Sequence, residues 1–418
     1  MGRCPPIPPT LAGREGSHVT ILRGQVKKHV LILGAGFAGL ELAARLSGSL
    51  TDAVDITLLD QNDSFHFGFA KLDVLLGRRD AADVRLHYED ISKDGVEFRQ
   101  ETVTLIDPET RRVTTNKGSY EADILVVALG AEYDFAATPG LQEGGFEYYS
   151  LEGAARLRDA LADFNSGTIL ISVLGHPFKC PPAPFEGAFL VHDQLLHRGV
   201  RDAVDIRMTF PMAAPVPVTK EVSEMFARAL DERGIECAPK QLVTSLDVGA
   251  RQARLASGES LPYDLFIGVP VHRVPDVVER SGLAVDGWVP VDRTNLTTRF
   301  TGVYALGDVA GLPMAKAGVF AEAAARVVAD DIAAGITGAE PPAPYEGIGN
   351  CYVEFGGGIV GKAEINFLGG PVPAARVIAP SRELAAEKEA FAATRRQSWF
   401  GLDTHQVPAA MTTPRERD

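Results

Sequence analysis

The sequence predicts an α/β protein of two three-layer, Rossmann-like units, the second inserted in the first, followed by a small C-terminal region. Three observations predict it. A strand–glycine loop–helix–strand unit occupies His29 to Asp60, and a second strand–turn unit opens at Thr168. Strand-like runs at Asp264 and Gly302 then return the chain to the first unit. The boundaries that follow are 1–27 for a tail, 28–145 and 266–340 for the two parts of the first unit, 146–265 for the insert and 341–418 for the last region.

Val30-Leu31-Ile32-Leu33 is apolar and short enough to be a buried parallel strand. Gly34-Ala35-Gly36-Phe37-Ala38-Gly39 follows, with the spacing G-x-G-x-x-G. Gly34 permits the tight turn, Gly36 lets backbone approach a pyrophosphate, and Gly39 lets the helix pack close to the sheet. The helix from Leu40 to Leu46 aims its free N–H groups and positive dipole end at that phosphate. A second strand, Asp55 to Leu59, ends on Asp60. An acid about 20 residues past the glycines is placed to accept hydrogen bonds from a ribose diol. An accidental glycine-rich turn does not explain this register.

Further along, Ile124 to Leu129 is another buried strand that stops on Gly130, where backbone can approach a ligand. Ala131 to Tyr149, with Pro139, Gly140, Gly144 and Gly145, reads as a crossing between units. The strand from Thr168 to Leu174 should be followed by a second glycine fingerprint. The chain instead reads Gly175-His176-Pro177-Phe178-Lys179-Cys180-Pro181-Pro182-Ala183-Pro184. Its prolines remove the backbone donors a pyrophosphate needs. The next strand, Val204 to Phe210, ends at Pro211 without an acid. The insert therefore reads as a nucleotide-binding unit that has lost its nucleotide site. Asp264 to Pro270 leads back to the first unit, and Val303 to Leu306 ends in Gly307-Asp308. A helix from about Ala317 to Ala334 follows, and a weak, charged one from Ser381 to Gln397.

The chain has 418 residues, 45% of them apolar and 23% charged, with a net charge of −14. Such a balance suits a globular protein and excludes nucleic acid or an anionic membrane as main partner. No run has the roughly 18 apolar residues needed to span a bilayer, and the first 27 lack a signal-peptide core, so a cytoplasmic protein is expected. Cys4, Cys180, Cys237 and Cys351 are too scattered for a disulfide scaffold or a C-x-x-C metal site.

From His29 to Phe400 the sequence resembles the sulfide:quinone oxidoreductase and flavocytochrome c sulfide dehydrogenase flavoproteins. These are relatives of type II NADH dehydrogenases and the disulfide reductases. The fingerprint with Asp60, the strand closing on Gly130 and the Gly307-Asp308 pair carry the general likeness. The specific pieces are Phe178-Lys179-Cys180-Pro181-Pro182-Ala183-Pro184 and Cys351-Tyr352-Val353-Glu354-Phe355. The resemblance implies FAD, with Asp60 on the adenosine ribose, Asp308 on the ribityl or pyrophosphate and Gly130 close to the dinucleotide chain. It further implies that Cys180 and Cys351 face each other, Cys351 nearer the flavin. No cysteine follows Phe65–Phe67, so the FAD is expected to be non-covalent. The third cysteine that many quinone-reducing relatives carry is missing from Ala131 to Gly140.

The expected activity is oxidation of a sulfide or thiol substrate through the Cys180/Cys351 pair, two electrons passing to FAD and then to a quinone or other carrier. A helix N-terminus or Lys179 should lower the thiol pKa. The plain alternative is that both cysteines are small buried apolar residues. Lys316, just before a helix, either supports negative charge on reduced flavin or is a solvated lysine. His176 and Glu186 stay outside the catalytic set. Trp399 and Phe400 can pack on the domain, on a second copy of the chain, or peripherally at a membrane. Two rival functions remain: a type II NADH dehydrogenase, and a non-catalytic flavoprotein that binds a partner.

Overall fold

Val30 to Leu33 have no exposed surface. Val30 and Ile32 enter one apolar cluster and Leu31 and Leu33 another, so both faces of the strand are covered and the run is continuous. The structure, a computed structural model, describes residues 27–216 and 220–402. Apart from Lys27, the expected tail, with Cys4, lies outside the described residues.

Strand Lys28–Leu33 is the middle of a five-stranded parallel sheet, in the order Val303–Ala305, Ile124–Val127, Lys28–Leu33, Val54–Asp60, Val96–Gln100. The order reverses at Lys28–Leu33, and in open α/β sheets ligands bind beyond the carboxyl ends at such a point. Helices Phe37–Leu50 and Gly318–Thr337 pack side by side here. A Cβ on Gly307 would lie 3.3 Å from Ala321 and 3.6 Å from Ala38, so small residues set that closeness.

A second five-stranded parallel sheet has the order Gly145–Phe146, Leu265–Val269, Gly167–Val173, Val204–Phe210, Ile235–Pro239. This corrects one expectation. Leu265–Val269 belongs to the insert and not to the returning first unit, because a strand buried on both faces fits the middle of either sheet. The return comes just after it, where Val271–Arg273 pairs antiparallel with Glu132–Asp134. That ribbon is the physical form of the crossing between units.

The last region is an antiparallel sheet of Ile348–Gly356, Ile359–Asn366 and Ala374–Ser381, then helix Glu383–Arg395 and a turn over Arg396–Phe400. Trp399 and Phe400 are both only 1% exposed, so they pack on the chain itself. The Trp399 ring meets Phe37 and Phe65 edge-on, each at 5.6 Å between centroids, and its Nε1 donates to Glu41 Oε2 at 2.8 Å. Trp399→Ala would empty this place and is expected to cost about 3–5 kcal/mol. Urea unfolding checks it; an unchanged midpoint would show that the turn contributes nothing. Among the described residues no helix is long and apolar enough to cross a membrane, and no cluster of His, Cys, Asp and Glu could hold a metal ion.

Candidate functional site

Each glycine of the first loop answers to a different contact. Gly34 has φ +100°, and a Cβ on it would lie 2.4 Å from the Ala128 carbonyl oxygen. One on Gly39 would lie 1.9 Å from the Gly34 oxygen. One on Gly36 would meet nothing within 4 Å. Gly36 precedes helix Phe37–Leu50, which has no side-chain cap and no acid in its first turn. The first amides of that helix therefore lie behind an open surface, the arrangement an anionic pyrophosphate requires.

Asp60 Oδ2 accepts from the Ala35 N–H at 2.8 Å, and Oδ1 accepts from both nitrogens of Asn62 at 2.8 Å. These bonds tie the glycine loop to the end of its neighbouring strand and leave Oδ2 a free lone pair for a hydroxyl. Gly307 (φ +78°) and Asp308 form a short turn against Ala38 and Ala321. The Phe37 ring covers Gly318, where a Cβ would come within 2.6 Å of it. A shallow cleft is lined here by Gly307, Asp308, Lys316, Ala317 and Phe320. Gly130 (φ +69°) also faces open space. The predicted loop, acid and Gly-Asp pair thus share one end of the first sheet, and a dinucleotide fits them.

Lys316 is buried rather than solvated. Its Nζ donates to the carbonyl oxygens of Asp308 (2.6 Å) and Ala310 (3.3 Å) and stands 3.4 Å from the centre of the Trp288 ring. Burial lowers its pKa to about 8, with the charge of Lys179 adding and that of Asp308 opposing.

The proline loop closes onto this place. Lys179 and Lys316 form a parallel bridge, the Cys180 N–H donates to the Lys316 oxygen at 2.7 Å, and Lys179 Nζ donates to the Ala131 oxygen at 2.6 Å. Cys180 has φ +52°, a conformation a non-glycine residue adopts at a cost of about 1–3 kcal/mol. Helix Ala183–His197 starts just beyond it. Cys351 is on strand Ile348–Gly356, opposite Ala363. That strand is fastened to the helix by the Glu354 N–H, which donates to Glu186 Oε1 at 2.8 Å.

Cys180 and Cys351 are both free thiols, near enough that charge on Cys351 raises the pKa of Cys180. Burial, then Glu186, then Cys351 push the Cys180 thiol far up; the Ala183 N–H and Lys71 oppose weakly. Burial and Glu186 push Cys351 up to about 12. The expected lowering is therefore overturned: a helix amide does favour the thiolate, but desolvation outweighs it, and Lys179 is turned to Ala131 and Tyr133.

Glu186, expected to lie outside the catalytic set, is 3% exposed and acts on both thiols. Burial raises its pKa to about 7, Lys388 opposing and Glu354 adding. Cys237 sits in strand Ile235–Pro239 beside Met208, away from the pair, with burial raising it to about 11. In the insert, strand Val204–Phe210 ends on a fully buried Phe210, packed edge-on against Phe185 at 5.5 Å, where a ribose-binding acid would stand. A Cβ on Gly175 would lie 3.1 Å from Val271.

The family model for pyridine nucleotide-disulphide oxidoreductases matches residues 28–173 and 205–325. A type II NADH:quinone oxidoreductase of Staphylococcus aureus is 27% identical over 303 residues, 63% of this chain and 73% of that protein. One of Staphylococcus haemolyticus is 36% identical over 148 residues, only 33% of this chain and 35% of its own length. Among solved structures, the sulfide:quinone oxidoreductase of Aquifex aeolicus superposes with TM-score 0.80 over 91% of this chain and 94% of that one, at 23% identity. NDH2 of Plasmodium falciparum superposes with TM-score 0.68 over 91% and 98%, at 12% identity. These likenesses establish the shared fold. With a two-part family match over most of its length, this chain belongs to the pyridine nucleotide-disulphide oxidoreductases and is a flavoprotein oxidoreductase.

Proposed function

We propose that the chain oxidises sulfide or a small thiol through Cys180 and Cys351, with non-covalent FAD and then a quinone as electron acceptors. The observation that carries this reading is that two half-buried thiols from distant segments come together beside one buried carboxyl group, Glu186. A purely structural cysteine pair needs no titratable partner. The residues that would hold FAD are Gly34, Gly36, Phe37, Ala38 and Gly39 at the pyrophosphate, Asp60 at the ribose, and Gly130, Gly307, Asp308 and Lys316 along the remainder.

With the pair oxidised to a disulfide, hydrosulfide attacks Cys180 Sγ. The S–S bond breaks, a persulfide forms on Cys180, and Cys351 leaves with the bonding electrons. Loss of two electrons and one proton then joins the persulfide and the Cys351 thiolate into a sulfur-bridged pair. Bound FAD supplies the acceptor for those two electrons. A second hydrosulfide attacks the bridging sulfur and carries it away as hydrodisulfide, while the two cysteine sulfurs rejoin as the disulfide. Glu186, with its pKa at about 7, takes the proton near neutral pH, where the high thiol pKa values otherwise keep sulfur protonated. For the quinone, a groove with Val319, Ile348, Tyr352, Ala390 and Phe391 along one part and Glu322, Arg326, Glu387 and Arg395 along another offers apolar surface for a ring and polar groups for its carbonyls.

The relatives' names support a second reading, NADH:quinone oxidoreduction. Anaerobic titration of the oxidised holoenzyme separates the two. Sulfide is expected to bleach the flavin with two electrons per FAD, and NADH is not. Bleaching by NADH alone would transfer the assignment to the second reading.

A further inference from the structure

Helix Glu383–Arg395 carries many charges, and one of them points inward. Lys388 is 7% exposed, its Nζ lying over the Phe69 ring 4.9 Å from the ring centre. Its Nζ donates to Glu354 Oε1 at 2.6 Å and lies 3.9 Å from Glu186 Oε1. Arg78 holds the other Glu354 oxygen at 2.7 Å and stands 3.5 Å from Asp73. Three carboxyl groups, Glu186, Glu354 and Asp73, thus share two cations. They share them unequally. Lys388 and Arg78 both grip Glu354, held down to about 2, while Glu186 has only the longer contact to Lys388. Glu354 raises and the more distant Arg78 lowers the Glu186 pKa as well, and the other titratable groups facing Glu186 are Cys180, Cys351, Tyr148 and Tyr149.

We propose that Lys388 is a positioning residue for the sulfur chemistry, its buried ammonium keeping Glu186 in the carboxylate form that accepts a proton beside Cys180 and Cys351. The inference rests on the reading of that pair as redox-active. Desolvating an ammonium costs several kcal/mol, and an apolar side chain over Phe69 would avoid that cost. The charge therefore has to be accounted for by what it faces. Glu354 already has Arg78; Glu186, at the thiols, has no other cation within ion-pair distance among the described residues.

The test is the pH profile of iodoacetamide labelling of Cys180 and Cys351 in the reduced holoenzyme, read by peptide mass. Glu186 takes the thiol proton as sulfur reacts, so the acid limb of the profile follows Glu186. Losing the ammonium favours the neutral carboxyl, which then deprotonates at higher pH. Lys388→Met is therefore expected to move the limb up by about one pH unit, an approximately fivefold slower labelling at pH 7 that is regained in mild alkali. Lys388→Arg should keep the limb in place. Glu354→Gln removes a like charge and releases Lys388 toward Glu186, so it should move the limb down. An unmoved limb in Lys388→Met, or the same fractional loss at every pH, overturns the proposal. If that variant does not fold, Glu354→Gln decides alone, and an unmoved limb there overturns it. Labelling needs neither sulfide nor acceptor. An enzyme that ignores sulfide but shows the shifts would thus end the sulfide reading and leave the role of Lys388 intact.

Discussion

Cys351→Ser is expected to slow sulfide-driven bleaching of the bound flavin by about 1000-fold, roughly 4 kcal/mol of lost transition-state stabilisation. A serine hydroxyl is smaller than the thiol, fits in its place, and can neither close a disulfide nor leave as a stabilised anion. Cys180→Ser should lose as much, and the double variant no more than either single one, because the two sulfurs act as one unit. Stopped-flow absorbance under anaerobic sulfide measures all three. FAD content should stay at the wild-type level, since neither cysteine belongs to the glycine cradle. Two single variants that retain most of the rate would remove the thiol pair from the mechanism.

Gly36→Ala and Gly39→Ala are expected to separate cofactor binding from folding. The added methyl at Gly39 would stand 1.9 Å from the Gly34 carbonyl oxygen, a backbone atom, so the helix must shift on its sheet. Overpacking against backbone should cost about 3 kcal/mol or more, with or without FAD. At Gly36 the methyl meets nothing within 4 Å, and φ is an ordinary −78°. The cofactor-free protein should then be within about 0.5 kcal/mol of wild type. FAD affinity should fall on the order of 100-fold, about 2.7 kcal/mol, because the methyl occupies the surface through which backbone approaches phosphate. Urea unfolding of the two apoproteins and FAD titration by fluorescence give the four numbers. Equal destabilisation of both would contradict the open surface at Gly36.

Much of this arrangement was legible in the sequence because it is encoded locally. The loop from Gly34 to Gly39, its acid at Asp60 and the prolines at the second loop each declare themselves within a few dozen residues. The two glycine-terminated strands, ending at Gly130 and Gly307, could be placed in one sheet by their common pattern. Leu265–Val269 could not be assigned to the right sheet, since an apolar strand buried on both faces carries no mark of its neighbours. Glu186 was passed over because a glutamate in the first turn of a helix is ordinarily solvated. What buries it is strand Ile348–Gly356 and what pairs with it is Lys388, both far along the chain. The lowered thiol pKa was wrong for a related reason: a neighbouring lysine is visible in sequence, whereas burial is a property of the assembled interior.

The indole of Trp399 backs the very loop that cradles the phosphates, through Phe37 and Glu41. A polypeptide cut before that tryptophan already holds every fingerprint glycine, yet Phe37 behind them keeps only Phe65 and Phe67 of its three aromatic neighbours. Retention of the yellow prosthetic group should therefore report on the Arg396–Phe400 turn as well as on the glycine loop, and trimming through Trp399 should weaken cofactor retention and stability together.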